Sequence, residues 1–152
     1  GGGPPEAGGS LDDVAAAAQG VGQKVRLALV MDTLHYLAKG GRVPKAAAWA
    51  ANMLAIKPVL HIEDGELKLL ARARTRKKGV ERLLQVMAQD VGSRPIRVIV
   101  SHANDREAGE ALLSEVRSRS HCVESYLTDF TPVMGTHTGP GVLCLGFYAD
   151  ST

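Results

Sequence analysis

Aromatic residues are scarce in this chain: two Phe, three Tyr and one Trp make up 4% of 152 residues. A core with so few rings must be built from Leu, Val, Ile and Ala. The basic stretches also lack the ring faces on which single-stranded nucleic acid stacks. Cysteine is limited to Cys122 and Cys144. They form no CxxC pair and no zinc spacing, and both sit in apolar runs, which fits buried free thiols. Neither sign of charge dominates: 18 Lys and Arg against 16 Asp and Glu leave +2. That is too little to bind nucleic acid or a membrane by bulk electrostatics. No apolar run reaches the ~20 residues that cross a bilayer, and no basic-then-apolar leader opens the chain. The expectation is a cytoplasmic protein with no stable membrane insertion and no nucleic-acid partner. Nucleophile elbow, Walker loop, HExxH and spaced carboxylate pair are all missing. No catalytic residue, no metal ligand and no cofactor is therefore expected.

What is present suffices for one domain. Hydrophobic residues make up 45% of the chain, enough for a core at this length. Residues 1–9 are rich in Gly and Pro and read as a disordered linker or scar, leaving 10–152 as the domain. Ser10 with Asp13 suits a capping box for a helix carrying Leu11, Val14, Ala15 and Ala18. Leu27 to Met31 reads as a buried strand. Asp32 then caps a short helix with Leu34, Leu37 and Ala38 that stops at Gly40-Gly41. Pro44 suits the first turn of a helix over Lys45 to Leu54. That helix is small and apolar all round, a pattern that predicts burial; it fits close packing on a sheet or the wall of a cavity.

Lys57 to Glu63 and Glu66 to Ala73 flank Asp64-Gly65, a two-residue hairpin signal. The loop sets the register: Glu63 opposite Glu66, Ile62 opposite Leu67, His61 opposite Lys68, Leu60 opposite Leu69. Leu60, Ile62, Leu67 and Leu69 then share an apolar face that should be buried, with His61 on the surface. Thr75 caps a helix with Val80, Leu83, Leu84, Met87 and Val91 at helical spacing, so Met87 is core. Ile96 to Ser101 is a buried strand, Asn104 with Glu107 opens a helix to about Arg119, and Cys122 to Thr128 is a strand. Strand, helix, strand at this spacing is a βαβ unit. The sum is an α/β fold: a mixed β-sheet with a hairpin and helices on both faces.

The densest functional signal is Gly135-Thr136-His137-Thr138-Gly139-Pro140-Gly141, between an apolar run and the closing run Val142 to Tyr148. Glycines let backbone N–H groups approach a bound group, successive N–H groups form an anion-binding concavity, and the Thr and His side chains add donors. The segment fits capture of a carboxylate or phosphate, and equally a tight turn with His137 solvated. Arg72, Arg74, Arg76, Lys77 and Lys78 form the one dense positive patch. It spans a strand end and a helix N-terminus, where cations oppose the macrodipole. It fits a solvated cluster or a surface that meets a partner. Arg42, after Gly40-Gly41, suits either pinning a loop or reaching a carboxylate. His102 lies just past a strand end, where α/β sheets bind ligands, and fits a structural role as well.

Taken in order, Asp32-Thr33-Leu34 with Tyr36-Leu37, Lys39-Gly40-Gly41-Arg42, Ile56-Lys57-Pro58, Arg74-Thr75-Arg76-Lys77-Lys78 and the Gly135 to Gly141 segment resemble the DegV family of fatty-acid-binding proteins. The resemblance runs from about Lys24 to Tyr148 and covers the family's C-terminal half; the family's preceding N-terminal domain has no counterpart, and Gly1 to Gly22 resembles the interdomain region. It implies a DegV C-terminal-domain-like sandwich that holds a long-chain fatty acid in an apolar tunnel. The ligand residues it implies are Gly135, Thr136, His137, Thr138, Gly139 and Arg42, with His137 on the carboxylate. Hydroxyl residues of the missing N-terminal domain complete such a site. It further implies a carrier that presents its acyl chain to a fatty-acid kinase, which makes acyl phosphate for phospholipid synthesis, with Arg72, Arg74, Arg76, Lys77 and Lys78 as the docking surface. Val43-Pro44 stands where the family pattern has Ile-Ser. Two other readings of the same residues are a phosphate- or nucleotide-handling enzyme using the Gly-rich loop and a structural half-domain that binds nothing.

Overall fold

The apolar runs and helical stripes form a two-faced sheet in the structure, a computed structural model that describes residues 20, 24–40, 44–51, 55–63, 66–129 and 141–150. In chain order the elements are β1 (Arg26–Val30), α1 (His35–Gly40), α2 (Pro44–Ala51), β2 (Lys57–Glu63), β3 (Glu66–Ala73), α3 (Arg76–Val91), β4 (Ile96–His102), α4 (Arg106–Arg119), β5 (Cys122–Asp129) and β6 (Leu143–Ala149). The six strands form one sheet in the order β3-β2-β1-β6-β4-β5. Among the described strands only β4 and β5, joined through α4, run parallel; the other neighbours are antiparallel. The fold is the mixed sheet with hairpin and two-sided helices read from the sequence. The expected helix near Ser10 and the turn at Asp64-Gly65 lie outside the described residues.

The hairpin register follows the two-residue loop rule: Glu63 faces Glu66, Ile62 faces Leu67, His61 faces Lys68 and Leu60 faces Leu69. Burial of its apolar face is less complete than expected. Leu60 is buried, while Ile62, Leu67 and Leu69 are half-buried. The reason is position, since β3 is the sheet's edge strand and Ile62 lies near the C-terminal end of β2. His61 is likewise half-buried, with its Nδ1 inside, and is not the surface residue expected.

Alternation along the strands sorts the core. On one face, Ala28, Val30, Val98, Val100, Leu143, Leu145 and Phe147 pack with Leu83, Leu84 and Met87 of α3 and Leu112, Leu113 and Val116 of α4. On the other, Leu29, Met31, Leu60 and Cys144 pack with Leu34, Ala46 and, partly buried, Ala38 and Trp49, from α1, α2 and the turn before them. A second small cluster on that side joins Ile99 to Tyr148. Helix α3 starts where Thr75 Oγ1 accepts from Lys78 N–H, and it lies so close to β1 that a Cβ on Gly79 would fall 2.5 Å from Val30 Cγ2.

Three local expectations are corrected. Helix α2 buries Ala46 but exposes Ala47 and Ala48; it is an outer-layer helix that turns one side to the sheet, and exposed alanine carries little penalty. The N-terminal contact of α1 comes from Thr33, whose Oγ1 accepts from His35 N–H, because Asp32 is turned toward Lys57 and Gly141. Helix α4 is capped by Asp105, not Asn104: Asn104 takes φ +55° to turn the chain out of β4, and Asp105 then presents its carboxylate to Ala108 N–H. Among the described residues no helix is long and apolar enough to cross a membrane.

Candidate functional site

Strand order brings most of the chemistry-bearing residues to one end of the sheet. The C-terminal ends of β1, β3, β4 and β5 meet the N-terminal ends of β2 and β6 there. That end carries Asp32, Lys57, the basic run from Arg72, His102, Asp105, Asp129 and Gly141. Gly135, Thr136, His137, Thr138, Gly139 and Arg42 lie outside the described residues; Gly141, which closes the glycine-rich segment, is described.

Gly141 is held on every side. Its N–H donates to Ala103 O at 3.2 Å, and Ala103 N–H donates to Val142 O at 3.1 Å. Its carbonyl accepts from Arg76 Nη2 at 2.8 Å. Its φ is +86°, and a Cβ would fall 2.1 Å from Asp32 Oδ2. Only glycine fits a left-handed residue pressed against a carboxylate in this way. The Asp32 carboxylate in turn faces Lys57 Nζ at 3.8 Å.

Arg76 links this loop exit to two helices. It is the first residue of α3, and its Nη1 bonds Asp105, the cap of α4. That bond, ahead of all other causes, holds the Asp105 carboxyl below its ordinary range. Asp105 also offsets the unfavourable placement of a cation in the first turn of a helix. The sequence grouped Arg76 with an exposed cluster; Arg72, Arg74, Lys77 and Lys78 are exposed, while Arg76 is half-buried and engaged. His102, 3% exposed, completes the hub. Its Nδ1 accepts from Asp105 N–H at 3.1 Å and its Nε2 faces Asp129 Oδ1 at 3.1 Å. With Nδ1 accepting, the ring proton sits on Nε2 and points at Asp129. His102 is thus a joint between β4, α4 and β5.

Neither thiol is activated by its surroundings. Burial pushes Cys144 up to about 12, and burial also raises Cys122; both are free. No group of three or more His, Cys, Asp or Glu gathers to hold a metal among the described residues. Between α3 and α4, on the face away from α1 and α2, lies an open groove of about 300 Å³ with Val80, Leu84, Ala108, Leu112 and Leu143 along it and Arg76 at one end. Asp105 and Asp129 went unread in the sequence, while Asp32 was read as a helix cap and as part of a family motif, not as the neighbour of Lys57 and Gly141. Of the two unread residues only Asp105 had a local signal, as a capping residue type beside Asn104.

The family model described as "uncharacterised protein, DegV family" matches residues 5–150. A DegV domain-containing protein of Streptomyces coelicolor is 34% identical over 139 residues, 91% of this chain and 50% of its own. Protein DegV of Bacillus subtilis is 32% identical over 135 residues, 88% of this chain and 48% of its own. Among solved structures, a fatty-acid-binding DegV family protein of Thermus thermophilus superposes with a TM-score of 0.75 at 32% identity, covering 95% of this chain and 52% of its own. The fatty-acid-binding protein DegV of Bacillus subtilis gives 0.73 at 30% identity, covering 93% and 50%. The chain spans about half the length of the relatives it matches.

Proposed function

The chain belongs to the DegV family, and from that premise we propose that it binds a long-chain fatty acid, with the carboxylate at the glycine-rich segment and the acyl chain along the face covered by α1 and α2. The observation that carries the reading is the anchoring of Gly141: its backbone runs directly into Val142 and Cys144, which belong to the apolar cluster on that face. The exit of the glycine-rich segment thus adjoins the apolar cluster. Each buried methylene contributes about 0.8 kcal/mol, so a long chain supplies ample driving force. The solved neighbours described as fatty-acid-binding, at 28–32% identity, support the same ligand class. In this reading Gly135, Thr136, His137, Thr138 and Gly139 surround the carboxylate, and Arg42 borders it. The chain acts in the cytoplasm as a carrier, not a catalyst. Its exposed cations Arg72, Arg74, Lys77 and Lys78 dock a fatty-acid kinase that takes the presented carboxylate to acyl phosphate for phospholipid synthesis.

Organic extraction of the purified protein followed by mass spectrometry tests the ligand. Fatty acid at near one equivalent is expected. Nucleotide or sugar phosphate would replace the reading with a phosphate-handling one, and an empty extract with failed uptake of added fatty acid would end it. His137→Ala is expected to weaken binding roughly tenfold to a hundredfold, the loss of one charge-assisted hydrogen bond. Unchanged affinity would remove His137 from the site.

A further inference from the structure

One buried hydroxyl has no partner among the described residues. Ser101 is 1% exposed, and its Oγ is buried without a hydrogen bond. Alternation along β4 sends Val98 and Val100 to the α3–α4 face and Ile99, Ser101 and Ala103 to the other. There Ser101 stands in a row across the sheet, paired with Cys144, which pairs with Leu29, which pairs with Leu60. Cys144, Leu29, Leu60 and Ala103 all belong to the apolar cluster beneath α1 and α2. Cys144 is a poor donor, and on the β5 side the Thr128 hydroxyl is engaged with Asp129 O. A hydroxyl desolvated among such neighbours and left unbonded is destabilising; alanine or valine there would avoid that penalty. Two residues further, Ala103 bonds both Val142 and Gly141. Two strand residues advance about 7 Å, so the hydroxyl sits one step inside the exit of the glycine-rich segment, on the face to which the acyl chain is assigned.

We propose that Ser101 is a ligand-binding residue, whose hydroxyl donates to the carboxylate of an amphiphile as its tail lies across the Leu29–Leu60–Cys144 cluster. The assignment rests on the fatty-acid reading above and adds a contact from the sheet itself. The ligand supplies the acceptor that the described residues do not.

The test compares the wild-type chain, Ser101→Ala and Ser101→Cys, measuring affinity for hexadecanoic acid and for its methyl ester, together with the unfolding temperature of the ligand-stripped proteins. In Ser101→Ala, affinity for the acid should fall about tenfold to a hundredfold, affinity for the ester should fall much less, and the stripped protein should unfold at the same temperature or higher. Ser101→Cys keeps the volume but offers only a weak donor, and should show the same loss. Equal binding of the acid by wild type and both variants would overturn the role of Ser101 and leave the fatty-acid reading standing. A lowered unfolding temperature with equal losses for acid and ester would also overturn it, making Ser101 structural. Wild-type chain that takes up neither acid nor ester would overturn the fatty-acid reading itself.

Discussion

Asp105 carries two duties on its carboxyl group and a third on its backbone. Oδ1 caps α4 through Ala108 N–H, Oδ2 receives Arg76, and the residue's own N–H is held by His102. Removing the side chain as Asp105→Ala loses a cap of ~1 kcal/mol and a partly exposed ion pair of ~1 kcal/mol. A drop of roughly 2 kcal/mol in denaturant unfolding is expected. Asp105→Asn keeps a good capping residue and loses only the charge, so it separates the two. The Arg76 guanidinium lowers the folded-state pKa of Asp105 below its ordinary 3.8. Its ionic contribution is therefore complete above that ordinary value and is lost as pH falls through the lowered one. The stability difference between wild type and Asp105→Asn should be constant at neutral pH and shrink below about pH 4. A difference that grew on acidification would contradict the assignment. This hub was not legible in the sequence. Asn104 and Asp105 are both good caps, and the choice was made by the turn out of β4, where Asn104 accepts a left-handed φ.

Helix α3 illustrates how far periodicity reaches at the scale of an element. The spacing of Val80, Leu83, Leu84, Met87 and Val91 placed one face in the core, and the structure buries all of them except Val80, which is half-buried. Thr75 as cap was equally readable, because a capping hydroxyl acts on its own helix. Gly79 was not. In isolation a glycine inside a helix is a weakness, and Ala would gain ~1 kcal/mol in propensity. In the fold its missing Cβ is what lets α3 lie against Val30. Gly79→Ala should therefore destabilise the protein by up to ~2 kcal/mol net, since overpacking costs ~1–3 kcal/mol against the ~1 kcal/mol gained in propensity, measured as a lower denaturation midpoint. A stabilised variant would mean that α3 lifts from β1 without penalty. Gly109 in α4 has the same function, with a Cβ position 2.9 Å from Leu127 Cδ1 and 3.0 Å from His102 Cδ2. Helix α2 shows the limit from the other side: composition marks it as apolar all round, yet a helix in an outer layer buries only the side it turns to the sheet.

For the molecule as a whole, the two faces have different work in the proposed reading. One packs α3 and α4 and holds the sheet; the other receives a chain beneath α1 and α2. The exposed cations lie at the end where both meet. In the proposed reading, reversing Arg72, Arg74, Lys77 and Lys78 to Glu in a protein carrying both halves of the family should sharply lower kinase-coupled acyl phosphate formation and change fatty-acid affinity less than about twofold, because these side chains are exposed and their charges are screened by salt. Lost fatty-acid binding with coupling per bound lipid intact would assign the cluster to the lipid site instead. Arg76 is left out of this set, since its guanidinium is committed to Asp105 and Gly141.

What the sequence determined by itself was everything set by near neighbours. Two-residue loop chemistry fixed the β2–β3 register, helical spacing fixed the buried face of α3, and the order of short motifs fixed the family. Tertiary structure alone decided which distant residues meet. Strand β6 enters between β1 and β4, and only that insertion presses Asp32 on Gly141, turns Arg76 inward from its basic run, and sets Ser101 beside Cys144. The reason is physical: turn preference and periodicity act over a few residues, whereas strand order is chosen by the burial of whole faces, and a single residue's surroundings are settled only when that packing is complete.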